Sequence, residues 1–197
     1  MGNETSYMIE KDERLDKPGA GIPWHHKQFT KYIVVPLLPM VLNWERGLAF
    51  FQKQVSEILA LVEDLDEQTL AKQVLIPPMI FLEDSSRFYS INMVLEHLVM
   101  VNFGTLEIMN FLAEEKEVER VLGTEKVKPV KNINHIKNLV VFEKAYTRMI
   151  KKSPKKRSLT TKEHPWFGHF NNTHWHAFIG MHNKVHKKQI QKILELM

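Results

Sequence analysis

With 197 residues, 44% of them hydrophobic, and a formal charge of +4, the chain can bury a real core, which excludes wholesale disorder and fits one domain. It has no cysteine, so disulfides, thiolate metal sites and a catalytic thiol of its own are excluded. Glycines number only eight and apolar residues recur with a helical period, so the expected class is all-α.

Residues 1–39 read as an irregular N-terminal arm, polar and charged at first, without an apolar signal core, extended as far as Gly21-Ile22-Pro23-Trp24-His25-His26. Together with the missing cysteine, this predicts a cytoplasmic protein. His25 and His26 read as exposed loop residues. Pro36 and Pro39 interrupt the apolar run 33–42, which predicts no continuous helix there. The first clear helix is expected over 40–64, with Leu48, Phe51, Val55, Ile58, Leu59 and Val62 inward and Gln52, Lys53 and Glu57 in water.

An irregular stretch follows over 66–89, marked by Pro77-Pro78 and a turn-like Glu83-Asp84-Ser85-Ser86. Ser90 is placed to cap a second helix over 91–115. That helix is apolar on nearly every side and long enough to raise the question of a membrane. Glu96, His97, Asn102, Glu107 and Asn110 interrupt it, which favours burial in protein, in a central helix or one covered by a second copy in a homodimer. His97 shares a face with Met93, Val94, Val101, Gly104 and Ile108, and Gly104 leaves room there for another backbone or a ligand. Glu96 lies about 100° away and reads as a bundle-edge or interface charge.

Residues 117–131 form a charged connection, and a third helix is expected over 133–152 with Ile136, Leu139, Val140, Tyr146 and Ile150 inward. Lys151, Lys152, Lys155, Lys156 and Arg157 make a basic run that reads as a solvated loop. No aromatic residue interleaves it, so nucleic acid is not an expected partner. His164-Pro165-Trp166-Phe167-Gly168 reads as a structural turn over the bundle end, with Trp166, Phe167 and Trp175 as core closure. His135, His169, His174 and His176 read as surface or cap residues.

The last helix, 173–197, capped by Asn171 or Asn172, carries Trp175, Phe178, Ile179, His182, Val185, His186, Gln189, Ile190 and Ile193 on one stripe, with lysines opposite. His182 and His186, spaced i and i+4, stack one turn apart on the core-facing side. A buried imidazole needs its nitrogens satisfied. The pair is therefore either two core histidines bonded to neighbours or two legs of a metal site. A zincin would need Glu where Asn183 stands. A ferritin-like centre would need Glu three residues before a histidine, and no such pair occurs. Four long helices with irregular connections predict a four-helix bundle.

Phe88-Tyr89-Ser90 leading to His97-Leu98, then the His164-Pro-Trp-Phe-Gly168 loop and Trp175, then His182 and His186 with Gln189, resemble in order the motifs of the DinB-like superfamily. They resemble in particular an uncharacterised subgroup with a His-Pro-x-Phe-Gly loop before the last helix. The likeness covers about 40–197. It implies a four-helix bundle of up-down-down-up connectivity and a divalent metal, zinc or nickel, held by His97, His182 and His186. It further implies a homodimer and a metal-dependent enzyme of thiol-transferase or hydrolase type acting on a small molecule, a low-molecular-weight thiol among the candidates. The alternative is a non-catalytic, metal-stabilised binding or stress-response module. Gln189, one turn beyond His186, is a candidate acceptor for a ligand's second N–H, or a plain helix-face bond.

Overall fold

The computed structural model describes residues 7–119 and 123–197. The first six residues of the arm and residues 120–122 of the charged connection lie outside the described residues. Among the described residues the protein is mostly helical, with two short β-pairs. The four long helices among the described residues are α3 (Trp44–Val62), α5 (Ile91–Ala113), α6 (Ile136–Lys152) and α7 (Asn172–Glu195).

The helix starts follow from side chains that take up orphan backbone N–H groups. Asn43 accepts from Arg46 N–H, Ser90 from Met93 N–H, and Asn171 from Thr173 and His174 N–H, with His174 closing a capping box. The first long helix thus begins at Trp44 rather than at residue 40, because Leu42 (φ −109°, ψ 71°) breaks the chain immediately before the Asn43 cap.

The arm departs most from expectation. Trp24 to Val41 is helical: α1 (Trp24–Phe29), a π turn (Thr30–Val34) and α2 (Val35–Val41) run on without a break. Pro36, the second residue of α2, follows directly on the π turn. The wider π turn before it relieves the clash a proline ring makes with the preceding carbonyl. Pro39 is carried inside α2. This segment meets α3 at 101° and α2 packs on α7. Ile22, Thr30 and Val35 are buried, while Trp24, Tyr32 and Met40 face outward. His25 and His26 stand on α1, not in a loop.

A short helix α4 (Glu67–Ala71) leads to β1 (Val74–Leu75), which pairs antiparallel with β2 (Phe88–Tyr89). A second antiparallel pair, β3 (Lys162–His164) with β4 (Gly168–Phe170), forms the hairpin before α7. Gly168 (φ 86°) supplies the left-handed residue that turn needs. Among the long helices, α3 packs on α6 and α7, and α5 packs on α6 and α7. Phe51, Ile58, Leu95, Leu98, Leu139, Phe142 and Tyr146 fill the space between them. Gly180 is what lets α3 approach α7, because a Cβ there would stand 2.6 Å from the Phe50 ring.

Between α5 and α7, the fully buried Asn102 and Asn183 bond amide to amide at 2.9 Å. An apolar neighbour would leave either one unpaired, so this bond fixes the register that brings His97 opposite His182 and His186. No single described helix is long and apolar enough to cross a membrane. The basic run is exposed, with Lys155 paired to Glu45.

Candidate metal centre

The fold brings His97 on α5 together with His182 and His186 on α7. Ring centroids are 5.2 Å apart for His97–His182, 4.6 Å for His97–His186 and 4.5 Å for His182–His186. One potential ligand atom from each lies within 4.8 Å of the others.

Hydrogen bonds decide which atoms meet. His97 Nδ1 lies 2.7 Å from the Val127 carbonyl. A carbonyl only accepts, so Nδ1 carries the proton and Nε2 is left with a lone pair. His186 Nδ1 lies 2.7 Å from Gln189 Oε1, and the Gln189 amide N–H donates to the Ser86 carbonyl at 2.7 Å. Because Ser86 O can only accept, the amide is oriented with its oxygen toward His186, which therefore also keeps its lone pair on Nε2. Gln189 is fully buried and bonds His186.

His182 Nε2 stands 3.2 Å from His97 Nε2. Two nitrogens on a tetrahedral ion at about 2.0–2.1 Å stand about 3.3 Å apart, so this pair already has the spacing of shared ligands. His182 Nδ1 is buried with no partner.

The three rings are suited to act as neutral ligands. Burial, outweighing the Val127 bond, pulls the His97 imidazole from its ordinary 6.5 down to about 4. Burial first, then the neighbouring rings, holds His182 and His186 well below the ordinary range. Neutral imidazoles keep lone pairs free near pH 7, and an all-nitrogen set suits zinc, nickel, iron or copper.

Residues beyond the histidines hold this arrangement in place. Glu96 is buried, not a bundle-edge charge: its oxygens accept from Val130 N–H at 3.3 Å and Lys131 N–H at 2.9 Å. A carboxyl group buried in an apolar helix must find donors, and here they tie down the connection whose Val127 carbonyl orients His97. Glu83 is a second buried anchor. It pairs with Lys128 and accepts from Gly21 N–H at 2.7 Å and Thr124 Oγ1 at 3.3 Å. Burial pulls its carboxyl upward, but the Lys128 bond and charge outweigh that and hold it below the ordinary value. Sequence reading gives no sign of Val127, because a backbone carbonyl has no side-chain signature. Glu83 appears there only as part of a turn.

The remaining described histidines do not join the three-ring cluster, although His164 lines the same cavity. His176 is a second correction, being 1% exposed rather than on the surface. Its Nε2–H donates to the Trp44 carbonyl at 3.0 Å and its Nδ1 accepts from Tyr146 O–H at 2.8 Å. His164, expected in a structural turn, is buried at the end of β3 in the hairpin, stacked on Phe167 at 4.7 Å and accepting from Trp166 N–H. His169 is exposed.

A cavity of about 200 Å³ borders the three histidines. Comparison with protein-family models, with curated proteins and with solved structures gives no match to this chain.

Proposed function

We propose that this chain is a metal-dependent enzyme of thiol-transferase or hydrolase type, in which His97, His182 and His186 hold one divalent transition-metal ion, zinc or nickel. The observation that carries the reading is the 3.2 Å approach of the His97 and His182 Nε2 atoms, with the His97 and His186 lone pairs fixed inward by Val127 and Gln189. Core histidines without a shared ligand would more cheaply turn each nitrogen toward a protein partner, as His176 does. Bound there, a divalent ion would supply Lewis acidity and an open position, which serves activation of a thiol or of water alike.

The chain's own part is to hold three neutral imidazoles together, two of them, His97 and His186, at tautomers fixed by Val127 and Gln189, beside a largely apolar cavity. An open site is favoured over a purely structural one. Among the described residues only three metal-binding side chains gather at this point, and a cavity adjoins them.

We further propose a DinB-like four-helix bundle with up-down-down-up connectivity. What supports it is the pairing along the helices. On α3 and α7, Gly47 meets His176, Phe50 meets Gly180, and Glu57 pairs with Lys187, so these two run parallel. On α5 and α6, Phe103 meets Phe142 and Met109 meets Tyr146, again parallel. Asn102 with Asn183, His97 with His186, and Gln52 with Thr147 are pairs that run α5 and α6 against the other two.

The test is elemental analysis of untagged protein beside the His182→Ala/His186→Ala double variant, each also reloaded with zinc or nickel. The expected result is about one ion per chain in the wild type and none in the variant. A wild type that takes up no ion after reloading overturns the reading.

A further inference from the structure

The cavity beside the histidines is built asymmetrically, and its lining says what it can hold. On α5, His97, Val101, Gly104 and Ile108 border it at i, i+4, i+7 and i+11, one stripe over three turns, about 16 Å of helix. On α7 it is bordered by Trp175, Phe178 and His182, and the N-terminal helix covers it with Thr30, Val34 and Leu38. The His97, His182 and His186 imidazoles therefore lie at one end of the α5 stripe, and a mostly apolar slot, which His164 and the paired Glu83 and Lys128 also line, extends from them.

Two polar atoms of lining residues, Thr30 Oγ1 and Trp175 Nε1, are buried and have no partner within the protein. Both can donate a hydrogen bond, and both sit in residues at least nine-tenths buried, at 7% and 3% exposure. Phe81, also in the lining, is held at φ 66°, a strained conformation for a bulky residue and one that tends to persist near functional sites.

Magnitude narrows the ligand. An apolar cavity of about 150 Å³ takes a benzene ring, so about 200 Å³ takes one ring or a short branched alkyl group with a small substituent. Sugars, nucleotides and peptides would leave several polar groups buried without partners, which the apolar walls penalise.

Resting on the metal reading above, we propose that this cavity binds a small molecule with a single apolar body of monocyclic-aromatic size, its metal-coordinating head at the histidines and a hydrogen-bond acceptor along its body for Thr30 or Trp175. The N-terminal helix thereby becomes part of the binding site.

The test compares two probes with the same coordinating head, acetohydroxamate and benzohydroxamate, by calorimetric titration into zinc-loaded full-length protein of measured zinc content. Benzohydroxamate is expected to bind about tenfold tighter or more, from burial of its ring. Equal affinity overturns the proposal. Gly104→Leu, which fills the slot and suits a helix better than glycine, is expected to keep its zinc and its acetohydroxamate affinity but lose the preference for the ring. Val101→Phe is the second filling variant if Gly104→Leu does not fold. A preference retained in a folded, filled variant also overturns the proposal. If the wild type holds no zinc, the metal reading fails by itself. The apolar slot is then read with toluene, expected to bind the metal-free chain and to be excluded by Gly104→Leu. No toluene binding overturns the slot as well.

Discussion

The first two turns of α7 and its middle turns each carry two histidines, and the difference between them separates a structural imidazole from a candidate ligand. His174 closes the capping box with Asn171, and His176 bonds Tyr146 on one nitrogen and the Trp44 carbonyl on the other. Every described ring nitrogen of His176 is spent inside the protein. His186 has one nitrogen held by Gln189, His182 has neither held except by the contact to His97, and the three rings close on one point. Burial alone does not distinguish the regions, since His176 and His186 are both buried. The count of satisfied nitrogens does.

The largest effect that would sharpen this contrast is on stability. His176→Ala leaves Tyr146 O–H and the Trp44 carbonyl unpaired beside a new cavity, and should cost about 3 kcal/mol in chemical unfolding with zinc stoichiometry unchanged. Loss of zinc in a folded His176→Ala protein would erase the distinction between the two regions.

Gln189→Leu should act the other way. It frees His186 Nδ1 and the Ser86 carbonyl, and metal affinity should fall by about 10- to 100-fold in competition with a chelator, as for other partners of metal-binding imidazoles. An unchanged affinity would mean that Gln189 only fills the core.

A graded effect concerns pH. Burial lowers His176 from 6.5 to about 4 in the folded chain, so between those values the unfolded chain binds a proton that the folded chain does not. Stability is therefore highest above the unfolded value and falls as pH drops through that window, by at most about 1.4 kcal/mol per pH unit for one group. His176→Gln can keep both hydrogen bonds without titrating, and denaturant midpoints of the metal-free variant should vary less between pH 6.5 and 4 than those of the wild type. Parallel curves would contradict a neutral, buried His176.

Much of this was legible in the sequence, for stated reasons. The long helices follow from the 3.6-residue period and from Ser90 and Asn171 as caps, and α5 and α6 start within a few residues of expectation. The spacing of His182 and His186 put both rings on one face, and the apolar partners of His97 pointed it inward. The N-terminal helix was hidden because prolines are read as breakers, while the π turn just before Pro36 accommodates its ring. His176 was hidden because α7 is packed by α3 on one side and α5 on the other, so its buried arc is wider than one stripe. The Val127 carbonyl and the donors to Glu96 were hidden because backbone groups carry no residue-type signal.

The most direct measurement is X-ray absorption at the zinc edge of the reloaded, untagged wild type. Three imidazole nitrogens at about 2.0–2.1 Å, with the remaining position filled by a light atom from outside the three rings, is the predicted shell. A shell of oxygens alone, or one unchanged in His182→Ala/His186→Ala, would contradict a centre built from His97, His182 and His186.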